Sequence, residues 1–583
     1  MSNKKSDYLI LGIIISIICI LGIYYLHFKS GYYVDEGMTL FLANGKYTGS
    51  VTTETGYGFG DFIEEFVWRG TVGNTIKNIC GMLKEVLQAG NYSEEGTVEW
   101  YDAARNLLQG KVTWVSGEEL FKQITATKEE RFQYLQVYIN QVVDVHPPLY
   151  YFIVHTVFSV LCNSYSDQYL FGINIFFLTV TCILIFMLLK KLAHDRACAF
   201  LTVILYGFSQ GFFSCALYFR MYAMETFWIV LTLYIYLNIK ESEWQFRKKD
   251  YIFLFLTALL GFGTHYYYIL YLMPLFVITC IRLFKEKKRK QLKQYMKAMT
   301  LAGAVSLIVW PFSVYHILFG YRGTEAIANL NVNGISSRLF ALGRVLIHAI
   351  FLDSFCLTIF LIVIGVSCIA LNCKFCAPIL RWLKDNSIEI CIPMIVYGCV
   401  VAKVAPVMAD RYIMGVLPVF FMLVACLIVN FIKTIIWLCK FNRNISGICE
   451  KIVISGIGIA YAAATFMLTT PEYLYLEQKD LRLDIPFERE EMNCLMVADD
   501  DYRGFPETLK LSEFAQVMVI EEKNLRLLET EKPKNSDHIM IVYILDCLEK
   551  EEIIGDIMEM LGEGDKEVKA VSSDIEGFSA YLF

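Results

Sequence analysis

The sequence is short of charge. Only 19% of its 583 residues are Asp, Glu, Lys or Arg, where a soluble domain carries about 25%. It has no internal repeat and no low-complexity tract, which argues against a transporter built from repeated halves. The pair Cys373 and Cys376 has no second CxxC and no nearby histidine to complete a zinc spacing. The remaining cysteines lie mostly inside apolar runs, as small buried hydrophobes. No small-residue cleavage site follows the first apolar run, so the basic MSNKK start reads as the cytoplasmic flank of a retained first helix rather than of a signal peptide.

Apolar sequence fills the space that charge leaves. Hydrophobic residues make up 56% of the chain, and mean hydropathy is +0.47. Blocks such as YLILGIIISIICILGIYYL and LTIFLIVIGVSCIAL reach or approach the ~18 residues that a spanning helix needs. The expected fold is therefore an all-α polytopic membrane protein. Apolar runs fall near 8–27, 168–189, 197–217, 221–239, 251–263, 265–284, 298–318, 346–371, 388–405, 412–431 and 452–470.

Basic loops mark every second boundary: KKLAHDR, KESEWQFRKK, KEKKRKQLKQYMK, KFCAPILRWLK and KFNRN. The positive-inside rule then gives about 11 spans, with the N-terminus in and the C-terminus out. Counting PPLYYFIVHTVFSVL as a span would turn the KEKKRK loop outward. Residues 147–162 are therefore expected as a helix in the outer interface, with Pro147 and Pro148 in its first turn.

Two further regions follow from this topology. A large first outer loop, 30–167, is grouped with the membrane domain 1–474; it is far longer than the usual 2–8 residues between helices. Residues 475–583 alternate strand-like and helix-like runs, and read as a small extracytoplasmic α/β domain. From Glu472 onward there are 28 acidic and 12 basic residues, a charge of −16, so the remainder carries +10. That split suits basic cytoplasmic loops and an acidic outer domain, and suggests no nucleic-acid partner.

With the topology set, an unusual group of residues falls on the outer side. GYYVDEG places Asp35 and Glu36 just beyond span one, and DVHPPLYY places Asp144 and His146 at the interface. YFRMYAMET supplies Arg220 and Tyr222; THYYYILY supplies His265 and Tyr266; VAKVAPVMADRY supplies Lys403, Arg411 and Tyr412 beside Asp410. A charge at mid-membrane costs ~2.5–3.5 kcal/mol on insertion scales, so such residues usually have a task. Acids can serve as bases, cations can hold a phosphate, and aromatic rings can flank a sugar or a lipid. The combination suggests a lipid phosphate handled from the outer face.

In that order, Asp-Glu after the first span, HPPLYY, RMYA, THYY and RY followed by Pro418 resemble the polytopic GT-C glycosyltransferases, near the protein O-mannosyltransferases and the aminoarabinose transferase that modifies lipid A. The resemblance covers roughly 8–430. It leaves out 475–583 and an insert at about 45–140.

It implies a polyprenyl-phosphate sugar donor, an extracytoplasmic protein, lipid or wall-polymer acceptor, and a multi-pass home in a plasma membrane, on the likeness to bacterial members. Asp35 then resembles the carboxylate that deprotonates the acceptor hydroxyl, with Glu36 beside it. Because phosphate is a good leaving group, a second acid across the sugar, as in a glycosidase, is not required, and a single displacement would invert C1. Arg411 and Arg220 are the candidates for the departing phosphate, since a guanidinium fork matches its oxygens. Asp144, His146 and Lys403 would assist them, and Tyr222, His265, Tyr266 and Tyr412 would line the sugar.

No cofactor is assigned. Asp35, Glu36, Asp144 and His146 could converge on a divalent metal, but their spacing does not specify one. Several of these residues also have a plain structural reading: Glu36 as a cap or brace and Asp144 as a helix cap, His146 as a pre-proline turn residue, the arginines and Lys403 as interface anchors, His265 as a core histidine. Two rival functions remain, a lipid flippase or transporter and a non-catalytic envelope scaffold.

Overall fold

The structure is a computed structural model that describes residues 2–46, 49–54, 63–88, 110–332, 334–359, 363–364, 378–439, 443–534, 538–561 and 568–583. Cys373 and Cys376 lie outside the described residues, as do positions 360–362 and 365–371 of the 346–371 run. Contacts divide the chain into two compact units, Met1–His27 with Phe171–Glu472, and Phe28–Leu170 with Tyr473–Phe583.

The first unit is helical. Among the described residues, seven helices are long and apolar enough to cross a membrane: Lys5–Leu26, Asp167–Lys191, Tyr222–Glu241, Tyr268–Lys285, Arg381–Val404, Met414–Leu438 and Ile445–Leu468. Two bent pairs raise the number to nine, Arg196–Gly207 with Gln210–Leu217 at 53° and Arg289–Val309 with Ser313–Leu330 at 97°. The second bend falls at Trp310–Pro311, where a proline cannot continue the preceding helix. The expected span at 251–263 is the 15-residue helix Lys248–Phe262. It packs on Tyr222–Glu241 and Arg289–Val309.

Three ion-pair networks collect one set of helix ends in this unit. Asp7 binds Lys190 at 2.8 Å and Arg196 at 2.6 Å. Lys433 binds Asp195 at 2.5 Å and Glu450 at 3.4 Å. The fully buried Glu389 takes Lys240 at 3.1 Å and Arg282 at 2.6 Å. Several of these cations come from the basic boundaries that the charge pattern placed inside. The opposite ends, about 30 Å away along a 20-residue helix, start at Tyr222 and Tyr268.

The second unit is mixed. Strands β1 (Thr53–Glu54) and β2 (Lys111–Val112) form an antiparallel pair. Six further strands are β3 (Val115–Ser116), β4 (Met492–Ala498), β5 (Gln516–Glu521), β6 (Ile539–Leu545), β7 (Lys569–Val571) and β8 (Phe578–Leu582), and they form one sheet in the order β3-β5-β4-β6-β8-β7. Strands β5, β4 and β6 are parallel; β3, β8 and β7 are antiparallel to their neighbours. The parallel centre is buried on both faces, which is why β4 and β6 read as unbroken apolar runs rather than alternating ones. Leu495, Val497, Met518, Ile520, Val542 and Ile544 form one core with Ile553 and Ile557 of the helix Lys550–Leu561.

The sequence reading grouped 30–167 with the membrane domain. In the structure this loop clusters instead with the C-terminal segment, for reasons local to the sheet. Strand β3 pairs with β5, Val115 opposite Val517. Thr52 Oγ1 donates to the Val519 carbonyl at 3.2 Å and accepts from its N–H at 2.9 Å. Trp114 enters the core and donates to the Glu531 carbonyl. The helix Leu149–Val160, expected over 147–162, also belongs to this unit. Its 12 residues span about 18 Å, well short of the ~30 Å hydrocarbon layer.

Candidate active site

In the second unit, the turn after His27 leads into the helix Val34–Asn44, whose first turn carries Asp35 and Glu36 where the helix dipole favours acids. Glu36 is committed to a brace. Its carboxylate accepts the Tyr33 N–H at 2.8 Å and both oxygens lie near Lys29 Nζ, at 3.1 and 3.2 Å. Lys29 also donates to the Tyr473 carbonyl at 2.8 Å and lies over the rings of Tyr32 and Tyr475. Both charged side chains are fully buried. Asp35 sits about 100° around the helix from Glu36 and is only half-buried.

The far end of that helix is tied to a helical hairpin. Asn140, in the helix Tyr134–Val143, donates to the carbonyls of Phe41, Leu42 and Gly45 at 3.4, 3.1 and 2.8 Å. His155 Nδ1 lies 3.3 Å from Asn44 Oδ1. The hairpin bends at Asp144–Pro148, because two prolines cannot extend a helix and the residue before a proline avoids helical geometry. The prolines fall just before the helix rather than in its first turn, with Pro148 in the N-cap position. Asp144 therefore does not cap the helix that follows. Its buried carboxylate holds His146 Nδ1 at 2.8 Å.

The first unit gathers the other motif residues at the helix ends opposite the ion-pair networks. Tyr222, His265, Tyr267, Tyr412, Arg411 and Tyr218 form a closed ring of contacts. The ring centroids of Tyr222 and His265 are 5.2 Å apart, of His265 and Tyr267 4.9 Å, of Tyr267 and Tyr412 5.9 Å. The Arg411 guanidinium lies over Tyr412 at 5.1 Å and donates to the Tyr218 hydroxyl at 3.2 Å. Tyr218 stacks on Tyr222 at 5.7 Å. Beneath them, fully buried Glu225 faces His265 Nδ1 at 2.9 Å and accepts from Tyr397 at 3.3 Å. Arg220 and Arg411 are both buried, at 3% and 8% exposure, so neither is an interface anchor reaching for water.

Two expected residues are engaged elsewhere in this unit. The Tyr266 hydroxyl joins His316 Nδ1 at 2.9 Å and accepts from Trp310 at 2.8 Å. Lys403 Nζ donates to the Leu330 carbonyl at 2.8 Å. The motif reading gave no role to Tyr218, Glu225, Tyr267 or Tyr397. Tyr218 and Glu225 stand within the same string as Arg220, and Glu225 falls three residues after Tyr222, the spacing that shares a helix face. Tyr397 carries no local signal. Among the described residues, no group of three or more His, Cys, Asp or Glu side chains is set to hold a metal ion.

Comparison with known proteins matches residues 136–321 to the family described as dolichyl-phosphate-mannose-protein mannosyltransferase. The matched stretch contains Asp144, His146, Arg220, Tyr222, Glu225, His265 and Tyr266; Asp35, Glu36 and the Lys403–Tyr412 segment fall outside it. No curated protein matches the sequence. Among solved structures, the chain is similar to ArnT from Cupriavidus metallidurans bound to undecaprenyl phosphate, with TM-score 0.46, 9% identity, and coverage of 88% of this chain and 98% of that one. It is also similar to the apo state of that protein, with TM-score 0.42, 11% identity and coverage of 75% and 87%. The archaeal oligosaccharyltransferase AglB from Archaeoglobus fulgidus, in complex with an inhibitory peptide and a dolichol-phosphate, follows with TM-score 0.39, 12% identity and coverage of 96% and 72%. The likeness to GT-C glycosyltransferases read from the motifs is thus met again, over residues 136–321, in the protein O-mannosyltransferases.

Proposed function

We propose that this protein is a membrane glycosyltransferase that moves a sugar from a polyprenyl-phosphate carrier to an acceptor outside the cytoplasm of a bacterial cell. The observation that carries the reading is the aromatic ring closed by Arg411, inside a chain whose residues 136–321 match a family named for a lipid-phosphate sugar donor. A guanidinium held against tyrosines by its face and by hydrogen bonds is oriented in advance, and an oriented cation stabilises charge as it develops on a leaving phosphate.

In this reading Asp35 takes the proton of the acceptor hydroxyl. The acceptor oxygen bonds to C1 of the sugar as the bond from C1 to the phosphate oxygen breaks. The electron pair leaves with the lipid phosphate, whose charge Arg411 and Arg220 offset, and C1 is inverted. Glu36 acts indirectly, since its bond to Lys29 fixes the turn on which Asp35 sits. The Asp144–His146 pair places an imidazole in the same unit as Asp35.

The test is transfer by the purified, reconstituted protein from a panel of radiolabelled undecaprenyl-phosphate sugars to crude envelope acceptors, comparing wild type with Asp35→Asn. Transfer in the wild type that collapses in the variant, with lipid binding retained, is the expected result. Equal transfer in both removes Asp35 from the chemistry. Lipid binding without transfer from any donor favours a scaffold or a flippase.

A further inference from the structure

Gln141 is fully buried in the helix Tyr134–Val143, and neither its amide nitrogen nor its amide oxygen has a hydrogen-bond partner among the described residues. An unsatisfied buried polar group costs about 1–3 kcal/mol, and Gln141 carries two. Its neighbour Asn140 shows that this helix can satisfy an amide: Asn140 donates to three carbonyls and accepts from Gln136 at 3.0 Å. Leucine at 141 would preserve the volume and remove the penalty. An amide kept there at a cost calls for an explanation.

Its place on the hairpin suggests one. Tyr134, seven residues earlier, packs on Phe152 and His155 and meets Thr156 at 3.0 Å. Seven residues are close to two helical turns, so Gln141 continues the stripe of Tyr134 that faces the second helix. The hairpin is antiparallel, so two turns toward the bend bring Gln141 level with Asp144–Pro148. Asp144 follows Gln141 by three residues, on the same side of the helix axis. The unpaired amide therefore lies at the bend that holds the Asp144–His146 pair.

The chemistry of the amide selects among ligands. A phosphate would satisfy only its N–H groups, and a cation only its oxygen. A hydroxyl-bearing ring both accepts and donates. We infer that Gln141 is a specificity residue that hydrogen-bonds hydroxyl groups of the sugar carried by the donor. This inference rests on the glycosyltransferase reading and adds to it the residue that reads the sugar.

The full-length protein in nanodiscs is titrated with undecaprenyl phosphate and with a panel of undecaprenyl-phosphate hexoses, as wild type, Gln141→Leu and Gln141→Glu. The wild type should bind at least one sugar-bearing lipid more tightly than the bare lipid phosphate. Gln141→Leu should melt no lower than wild type, keep its affinity for the bare lipid, and lose about tenfold or more of the added affinity for the sugar-bearing one. Gln141→Glu keeps the acceptor and should retain part of that preference.

An unchanged ratio of sugar-bearing to bare lipid affinity in Gln141→Leu overturns the inference and leaves the glycosyltransferase reading intact. So does a lower melting temperature for Gln141→Leu, which would show that the amide stabilises the fold through water. A wild type that binds the bare lipid but prefers no sugar also removes the sugar role alone. Binding of no lipid by the wild type sinks the glycosyltransferase reading, and the role of Gln141 falls with it.

Discussion

Gly37 lies against the backbone of Phe505: a Cβ added at Gly37 would stand 2.2 Å from the Phe505 carbonyl oxygen and 2.5 Å from its carbonyl carbon. The same helix presents Phe41 edge-on to the Phe505 ring, with centroids 5.1 Å apart. The turn that carries Asp35 is thereby seated on the C-terminal domain, the part of the chain that the motifs did not reach. Gly37→Ala should force the helix off its seat. Overpacking of this kind costs about 1–3 kcal/mol, so the variant should melt several degrees lower, and transfer should fall at least tenfold because Asp35 moves with the helix. Thermal unfolding and the transfer assay on one preparation check both.

The Lys29–Glu36 pair predicts a non-additive double mutant. Removing one partner of a buried ion pair leaves an uncompensated charge and costs about 3–5 kcal/mol, whereas replacing both with apolar residues of like volume can approach neutrality. Lys29→Met should therefore destabilise strongly, and Lys29→Met with Glu36→Leu should recover most of the lost melting temperature. Double-variant loss equal to the sum of the singles would show that the two residues do not act as a pair.

Arg411→Lys keeps the charge but loses the fork that reaches Tyr218 and lies over Tyr412. Transfer should drop by about 10²–10³-fold, the range seen when an oriented donor at a developing anion is lost. Tyr218→Phe removes a single hydrogen bond, worth about 0.5–1.5 kcal/mol, and should cost about tenfold or less. Steady-state kinetics with the donor that the wild type uses would rank the two variants.

Asp574 is the polar centre of the C-terminal domain. Its carboxylate accepts from Tyr543 at 2.8 Å and from Arg489 at 2.5 Å, and its carbonyl accepts from Lys510 at 2.9 Å. Asp574→Ala leaves the buried Tyr543 hydroxyl without its acceptor and takes one of two carboxylates from the partly exposed Arg489, which keeps Glu513 at 3.1 Å, and should cost about 1–3 kcal/mol. Limited proteolysis of residues 473–583 should then proceed at a temperature the wild type resists.

Asp501 should make the stability of this domain fall with rising pH. Burial first, and then the neighbouring carboxylates of Glu521 and Asp500, raise its folded pKa to about 6, above the ordinary ~3.9. Between about pH 4 and pH 6 the unfolded chain gives up this proton while the folded chain retains it, so stability declines across that window and the loss is complete above the folded pKa. Asp501→Asn should remove that part of the slope and melt higher than wild type at pH 7. Matching melting curves for the two proteins from pH 4 to 7 would contradict the assignment.

Part of the candidate site was legible in the sequence, and the limit is physical. The Pro147–Pro148 break and the short helix after it follow from backbone sterics, which act over a few residues. Arg411 beside Tyr412, and Tyr222 one turn from Glu225, are likewise local. The partner of Glu225 is His265, 40 positions on, and its other partner Tyr397 lies 172 positions away. Glu36 could be read as a cap from the Tyr33 N–H, and the structure contains that cap, but the Lys29–Tyr473 bond that completes the brace crosses 444 positions. Pairings of that range leave no periodicity to read.

The sequence by itself determined that this chain builds apolar helices of membrane length, because an unbroken apolar run can satisfy its backbone without water only as a helix. It also determined the strand-rich character of the C-terminal segment, through continuous β-branched and apolar runs between turns. Only the tertiary structure decided that the outer loop pairs with that segment, because two residues of strand, Val115 and Ser116, become a sheet edge only when β5 offers them an open ladder. It also decided which charged residues are engaged in braces and which face the ring around Arg411, because burial and partner distance belong to the folded chain and not to its order of residues.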